Sequence, residues 1–419
     1  MMGTFFEKTT ATLDQPICPL LKKGNLAEAA KKSDLCVDDN ITLAHLASFS
    51  SSIDWSEGYE DAGIGNSSVQ TMLFADGVED GMTRHILGHK RMQDYSPGEI
   101  MSYSSGDAVL LSRALYDGYK TEYKKMLPQF NKTLKTNIVF GRTDGNTGGD
   151  AERGIDEEGP VVMVSSSFLH ISAKDLLAVG NLILNRGKVG SKQVVSESWL
   201  KKLIKPHSSF QKNVVKNSAV TGLSWYVNKA VTENNIKQAW PFLPEDTIAA
   251  MGHWGQILLV IPSWKVVAVR FGYDVESKGE SLRAGELGWA IGKQLGKIDE
   301  DKPEPDFTLT GMEETFRAVS TKKFNLFQSR FTISSAAVGT GGGAFLGCAC
   351  HFIAKQPLEY CEKRVKRAES SLSLVAAKDA TSIKATITKA FIPVASATAD
   401  YYPATAASPE KCVLRTKLN

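Results

Sequence analysis

Apolar residues recur every three or four positions along "SAKDLLAVGNLILNRG", putting Leu176, Leu177, Val179, Leu182, Ile183 and Leu184 on one stripe. The spacing predicts a helix with Ser172 as N-cap and Gly187 as its stop. "SLRAGELGWAIGKQLG" repeats the pattern, and so does the stretch after Ser105 through Val109, Leu110, Leu111 and Leu115. "ILLVIP" and "KVVAVRFGYD" are instead β-branched apolar runs on either side of Pro262-Ser263-Trp264, which predict a hairpin of buried strands. Helix-like and strand-like segments alternate up to about residue 295, so the predicted fold class is α/β or α+β, a sheet flanked by helices.

Beyond that point the text changes. Residues 1–296 read as one domain, and 297–330 open with "KIDEDKPEP", a charged, proline-bearing linker. Residues 331–354, "FTISSAAVGTGGGAFLGCACHFIA", hold 24 positions without Asp, Glu, Lys or Arg, long enough for a single membrane helix. Gly339, Gly343 and Gly347 fall four apart, a doubled G-x-x-x-G that would let another helix approach. A buried or loop segment is the alternative, and "GTGGGA" is a weak match to a nucleotide turn. Basic clusters on both sides (Lys322, Lys323; Lys363, Arg364, Lys366, Arg367) leave the orientation open. Residues 355–419, rich in Ala, Ser, Thr and Lys, read as an extended tail with no core of its own, held on a partner.

Composition narrows the partners. A chain of 419 residues, 42% hydrophobic and 23% charged, is an ordinary globular protein over most of its length. Its net charge of +3 is small and its Lys and Arg are dispersed, which argues against nucleic acid. The expected contacts are therefore a lipid bilayer and other subunits of a membrane complex, met through the face of Gly339, Gly343 and Gly347 and through the tail. Six cysteines are too few and too uneven for a disulfide scaffold, and reduced thiols are the default expectation, with Cys18–Cys36 and Cys361–Cys412 as candidate bridges. No metal or other cofactor is expected: His85 and His89 stand four apart without the Glu of H-E-x-x-H, and Cys348-Ala349-Cys350-His351 lies in the apolar segment.

The candidate chemistry begins at Tyr103-Ser104-Ser105, a phenol and two hydroxyls on a turn before a helix. Alone, the triplet reads as a turn with an N-cap. Its neighbours add to that reading: "ITLAHLASFSSSIDWSEGY", "DYSPGEIMSYSSGDAVLLSRAL", "SSFLHISAKDLLAVGNLILNRGKVGSKQVVSESWL", "TGLSWYVN" and "AAMGHWGQILLVIPSWKVVAVRFGYD" follow in the order and spacing of one family. Over about residues 12 to 295 the chain resembles the β-lactamase-related serine hydrolases, which include class C β-lactamases, D-alanyl-D-alanine carboxypeptidases, esterases and 6-aminohexanoate-dimer hydrolases.

The resemblance implies a serine β-lactamase/transpeptidase-like sheet flanked by helices, and acyl transfer through the serine of an S-x-x-K helix. In that family the lysine and the tyrosine of Y-x-[NS] move protons, and a K/H-x-G strand shapes the acyl site. Tyr103 and Ser105 match the second element and His253-Trp254-Gly255 the third, though a small middle residue is usual where Trp254 stands. The serine belongs farther upstream of Leu13-Asp14-Gln15-Pro16 than the twelve residues that precede Leu13. Ser209 and Ser320 begin chance S-x-x-K matches in a polar loop and beside the apolar segment. Tyr103, Ser105 and His253 are then vestigial, and the expectation is a catalytically inactive accessory subunit of a membrane complex, single-pass, in an organelle such as the mitochondrial inner membrane. The alternative is an active esterase, amidase or peptidase whose S-x-x-K helix comes from another chain or a missing N-terminal segment. A soluble binding module would instead keep an open pocket beside Tyr103 and His253.

Overall fold

The computed structural model describes residues 1–22, 26–57, 67–74, 80–140, 143–144, 162–167, 169–206, 220–231, 238–253, 255–272, 284–305, 343–344, 347–353, 355–366, 372–379, 381–389, 392–403 and 411–414. Eight helices come first: α1 (Met2–Phe6), α2 (Cys18–Leu21), α3 (Ala27–Lys32), α4 (Leu43–Ala47), α5 (Ser68–Phe74), α6 (Gly81–Leu87), α7 (Ser105–Gly118) and α8 (Lys120–Leu134). Their apolar faces meet in one core around α7, whose Val109, Leu110, Ala114 and Leu115 are buried against Ile17, Leu20, Leu46 and Ile86. Each fully buried leucine or isoleucine there is worth roughly 1.5–3 kcal/mol of transfer free energy.

Arg113 of α7 is buried in this layer with two partners. It donates to Asp80, the residue before α6, and to Asp117 one turn along its own helix, both at 2.9 Å.

Short strands β1 (Val139–Phe140), β2 (Thr143–Asp144), β3 (Val162–Met163) and β4 (Leu169–His170) lead to helix α9 (Ala173–Leu184). The expected cap is present, since the Ser172 hydroxyl accepts from the Asp175 amide at 3.1 Å. A two-stranded ribbon, β5 (Lys188–Val189) and β6 (Lys192–Gln193), and helix α10 (Glu197–Leu203) follow. The main sheet is β7 (Val220–Thr221), β8 (Tyr226–Val227), β9 (Ile248–Gly252), β10 (Gln256–Ile261) and β11 (Val266–Arg270), antiparallel throughout and in sequence order. β10 is buried as the pattern predicts, whereas β11 is a half-buried edge. Leu258 and Val260 turn to the side of α9, and Leu259 and Ile261 to the side of α11 (Ala284–Gln294), where Trp289 is buried. The alternation of side chains along a strand thus produces the helix–sheet–helix layering.

The C-terminal residues depart from expectation. Strands β12 (Leu372–Ala376), β13 (Ser382–Lys389), β14 (Ile392–Tyr402) and β15 (Lys411–Leu414) form an antiparallel sheet, and α12 (Leu358–Val365) packs on β12. Leu372, Leu374, Ile383, Ala385, Ile387, Ala397 and Ala399 share a core with Ala344, Cys348, Phe352 and Cys361. The described residues of 355–419 are therefore not merely a tail, because small residues alternating at period two suffice for a sheet when a helix covers them. Among the described residues no helix is long and apolar enough to cross a membrane. A Cβ on Gly343 would meet Leu372 at 2.5 Å and one on Gly347 would meet Leu374 at 2.7 Å. These glycines do allow close approach, here to the chain's own sheet; Gly339 lies outside the described residues.

The reduced-thiol expectation is also corrected. Cys18 bridges Cys36, Cys361 pairs with Cys350 rather than with Cys412, and Cys348 is disulfide-bonded as well. Cys350→Ser with Cys361→Ser is expected to cost the C-terminal unit about 2–4 kcal/mol. Chemical denaturation of variant and wild type without reductant measures it.

Candidate active site

The site is built where the loop after α4 meets the first turn of α7. Phe49 and Ser52 hold left-handed backbone, φ 56° and 62°, which is uncommon for residues with a side chain. Such strain persists only where the surroundings over-determine it, and here they do. The Ser102 amide donates to the Phe49 carbonyl at 2.7 Å, the Ser51 hydroxyl to Asp107 Oδ1 at 2.6 Å, and Thr221 of β7 to the Ser48 carbonyl at 2.7 Å. Phe49 packs on the Tyr103 ring with centroids 4.6 Å apart.

Tyr103 is half-buried, and Ser105 is sealed at 2% exposure. Ser104 is the N-cap of α7, accepting from the Asp107 amide at 3.0 Å, so the turn reading and the motif reading hold together. The feature missed in the sequence is Glu57, 4% exposed. Its Oε1 accepts the Ser105 hydroxyl at 2.5 Å, and its Oε2 accepts the Ser105 amide at 2.9 Å and the Trp55 indole at 2.6 Å. A serine hydroxyl on a carboxylate oriented by a third group has the form of an activated nucleophile. Burial keeps this one from substrate, and Ser105 is better described as part of the scaffold.

His253 follows the third strand of the sheet. The third motif is expected on a strand, but β9 ends at Gly252, and His253 lies past that end. His253 is exposed, and Trp254 lies outside the described residues. Gln256 donates to the His253 carbonyl at 3.1 Å and Arg270 to the Gly255 carbonyl at 2.8 Å, bracing the turn. Tyr103 packs on the cluster that contains Tyr226 of β8 and Met251 of β9, two residues before His253. Of the S-x-x-K matches, those at Ser209 and Ser320 lie outside the described residues, whereas Ser198-Trp199-Leu200-Lys201 lies on α10.

Burial dominates the electrostatics. It pushes the Tyr103 phenol far above its ordinary range; the Glu57 charge adds to the shift and a hydrogen bond with Ser105 opposes it. Tyr226 is raised by burial and then by Tyr103 and Glu57. Both phenols are proton donors at neutral pH. Burial also pushes the Asp107 carboxyl up to about 8, against hydrogen bonds from Ser51 and Ser104 and with a smaller push from Glu57.

A carboxyl raised from 3.8 to about 8 binds more protons folded than unfolded. Its contribution to stability is complete below about pH 4 and is lost as pH rises towards 8. Asp107→Asn is expected to remove that loss, so the melting temperature of the variant relative to wild type climbs between pH 4 and pH 8. Calorimetry across this range tests it, and the difference cancels the buried histidines, whose effect runs the other way.

Those histidines face each other behind Trp55, Nε2 to Nε2 at 3.2 Å. Burial holds His85 well below its ordinary value and His89 at about 4. With Nδ1–H of His89 on the Asp54 carbonyl, its Nε2 is left to accept from His85 Nε2–H, which the Ser68 carbonyl shares at 3.2 Å. Among the described residues no group of three or more His, Cys, Asp or Glu could hold a metal ion. An open cavity of about 560 Å³ lies elsewhere, lined by Phe6, Leu13, Trp199, Lys202, Lys205 and Gly222 among others, and Tyr103 and His253 are not in its wall.

No family model matches the chain, and no curated protein does. Among solved structures it is similar to a provisionally named 6-aminohexanoate-dimer hydrolase from Bacillus anthracis, at 16% identity and TM-score 0.47, over 71% of this chain and 70% of that one. The octameric penicillin-binding protein homologue from Pyrococcus abyssi matches at 15% identity and TM-score 0.45, over 100% and 79%. A penicillin-binding protein homologue from Caulobacter crescentus matches at 11% identity and TM-score 0.44, over 65% and 73%.

Proposed function

We propose that the chain is the tyrosine-bearing part of a serine hydrolase of the β-lactamase type, acting on esters or amides once an S-x-x-K helix from a preceding segment or another chain joins it. One observation carries the reading: the Tyr103 turn and the end of β9, about 150 residues apart in sequence, meet on one apolar cluster. Tyr103 there is a protonated phenol, suited to donate to a leaving group; a lysine ammonium beside it would favour the phenolate and let it take the serine proton.

The second reading is the catalytically inactive accessory subunit. What favours it is that the charge described beside Tyr103 is the carboxylate of Glu57, the wrong sign for making a base of a phenol. On either reading the disulfides suit an oxidising compartment. A membrane-spanning helix would have to use residues outside the described ones.

Natively purified protein is treated with a fluorescent fluorophosphonate or penicillin probe, followed by gel and mass spectrometry. Label on an S-x-x-K serine of a joined segment or companion, and none on Ser105, is the expected result. Absence of label on every co-purifying polypeptide would sink the hydrolase reading in favour of the inactive subunit.

A further inference from the structure

The geometry points to Glu57 as the residue that positions Tyr103: accepting the Ser105 amide, the Ser105 hydroxyl and the Trp55 indole together, its carboxylate clamps the first turn of α7 and keeps a negative charge beside the phenol. The role rests on Tyr103 being the proton-moving residue of the proposed hydrolase.

Three features make the clamp specific. Glu57 lies at the N-terminus of a 14-residue helix, where unpaired amides and the helix dipole favour an anion. Ser104 caps the helix from within by taking the Asp107 amide, leaving the Ser105 amide to Glu57. Trp55, which orients Glu57, is itself held on both sides: its ring stands where a Cβ on Gly106 would come within 2.7 Å, and its other neighbours are His89 and His85, with centroids at 5.0 and 6.0 Å. A path of packed groups therefore runs from the histidine pair through Trp55 and Glu57 to Ser105 and the phenol. Glu57 touches no reacting atom in this arrangement, which makes it a positioning residue.

The test reads the phenol directly. A fluorinated tyrosine placed at position 103 of the full chain titrates at lower pH than tyrosine, and its fluorine resonance reports that site alone. Tyr226→Phe in all samples removes the neighbouring phenol. Glu57→Gln keeps hydrogen-bonding capacity and removes the charge, so the titration midpoint is expected to fall by on the order of one pH unit. Glu57→Asp keeps the charge and is expected to return the midpoint towards wild type. An unchanged midpoint in folded E57Q would overturn the assignment. If E57Q does not fold, Glu57→Ala decides: a midpoint below that of wild type supports the role, and an unchanged one refutes it. Since no turnover is measured, failure of the hydrolase reading would appear only in the probe experiment, independently of this one.

Discussion

Arg113→Met is expected to destabilise the helical layer by about 3–5 kcal/mol, the cost of leaving buried carboxylates without their cation. The side chains concerned are 1–2% exposed, so water cannot replace the guanidinium at Asp80 or Asp117. Asp80 is additionally held in left-handed backbone, φ 52°, and cannot easily turn away. Urea denaturation of wild type and variant measures the loss. Arg113→Met combined with Asp80→Asn and Asp117→Asn should recover a large part of it, because the desolvation penalty disappears with the charges. A triple variant as unstable as the single one would show that Arg113 acts through packing and not through charge.

The second large effect is catalytic. In protein competent for probe labelling, Tyr103→Phe should slow acylation by roughly 10²–10⁴-fold, the usual worth of a positioned proton donor and acceptor. The melting temperature should change little, since the ring contacts with Phe49 and the sheet cluster survive the loss of the hydroxyl. Second-order labelling rates for the two proteins decide it, and equal rates would remove Tyr103 from the mechanism.

Much of the first 295 residues is legible in the sequence because helix and strand periods stand out where leucine, valine and isoleucine mark the buried face. The Ser172 cap, the stop at Gly187 and the turn at Pro262–Trp264 all occur where the pattern puts them. The C-terminal sheet is harder to see: β13 and β14 bury alanine as often as isoleucine, so a period-two pattern reads as low complexity. For the same reason the charge-free run before it reads as a membrane helix, and Gly343 and Gly347 announce a close contact without saying with what.

The site divides in the same way. Tyr103 and Ser105 are found through a motif, a local feature. Glu57 is 48 positions from Ser105 in the chain, and no spacing rule connects the first glutamate of "DWSEGYED" to a helix start that far away. Nor does spacing choose among six cysteines; Cys361 reaches Cys350 because the sharp turn at Lys355, φ 53°, folds α12 back over the preceding segment.

The four C-terminal strands pair strictly in the order in which they occur, β12 with β13, β13 with β14 and β14 with β15, and the Cys350–Cys361 bridge spans only eleven positions. Strand pairing there is consequently between neighbours in sequence, the arrangement with the lowest loop-closure cost and the fastest searches among β structures. Glu57 and Ser105, by contrast, can meet only after the helical layer has assembled around α7. In refolding from denaturant the last part of the chain should gain protected amides early, with the tyrosine site forming in a later, slower step.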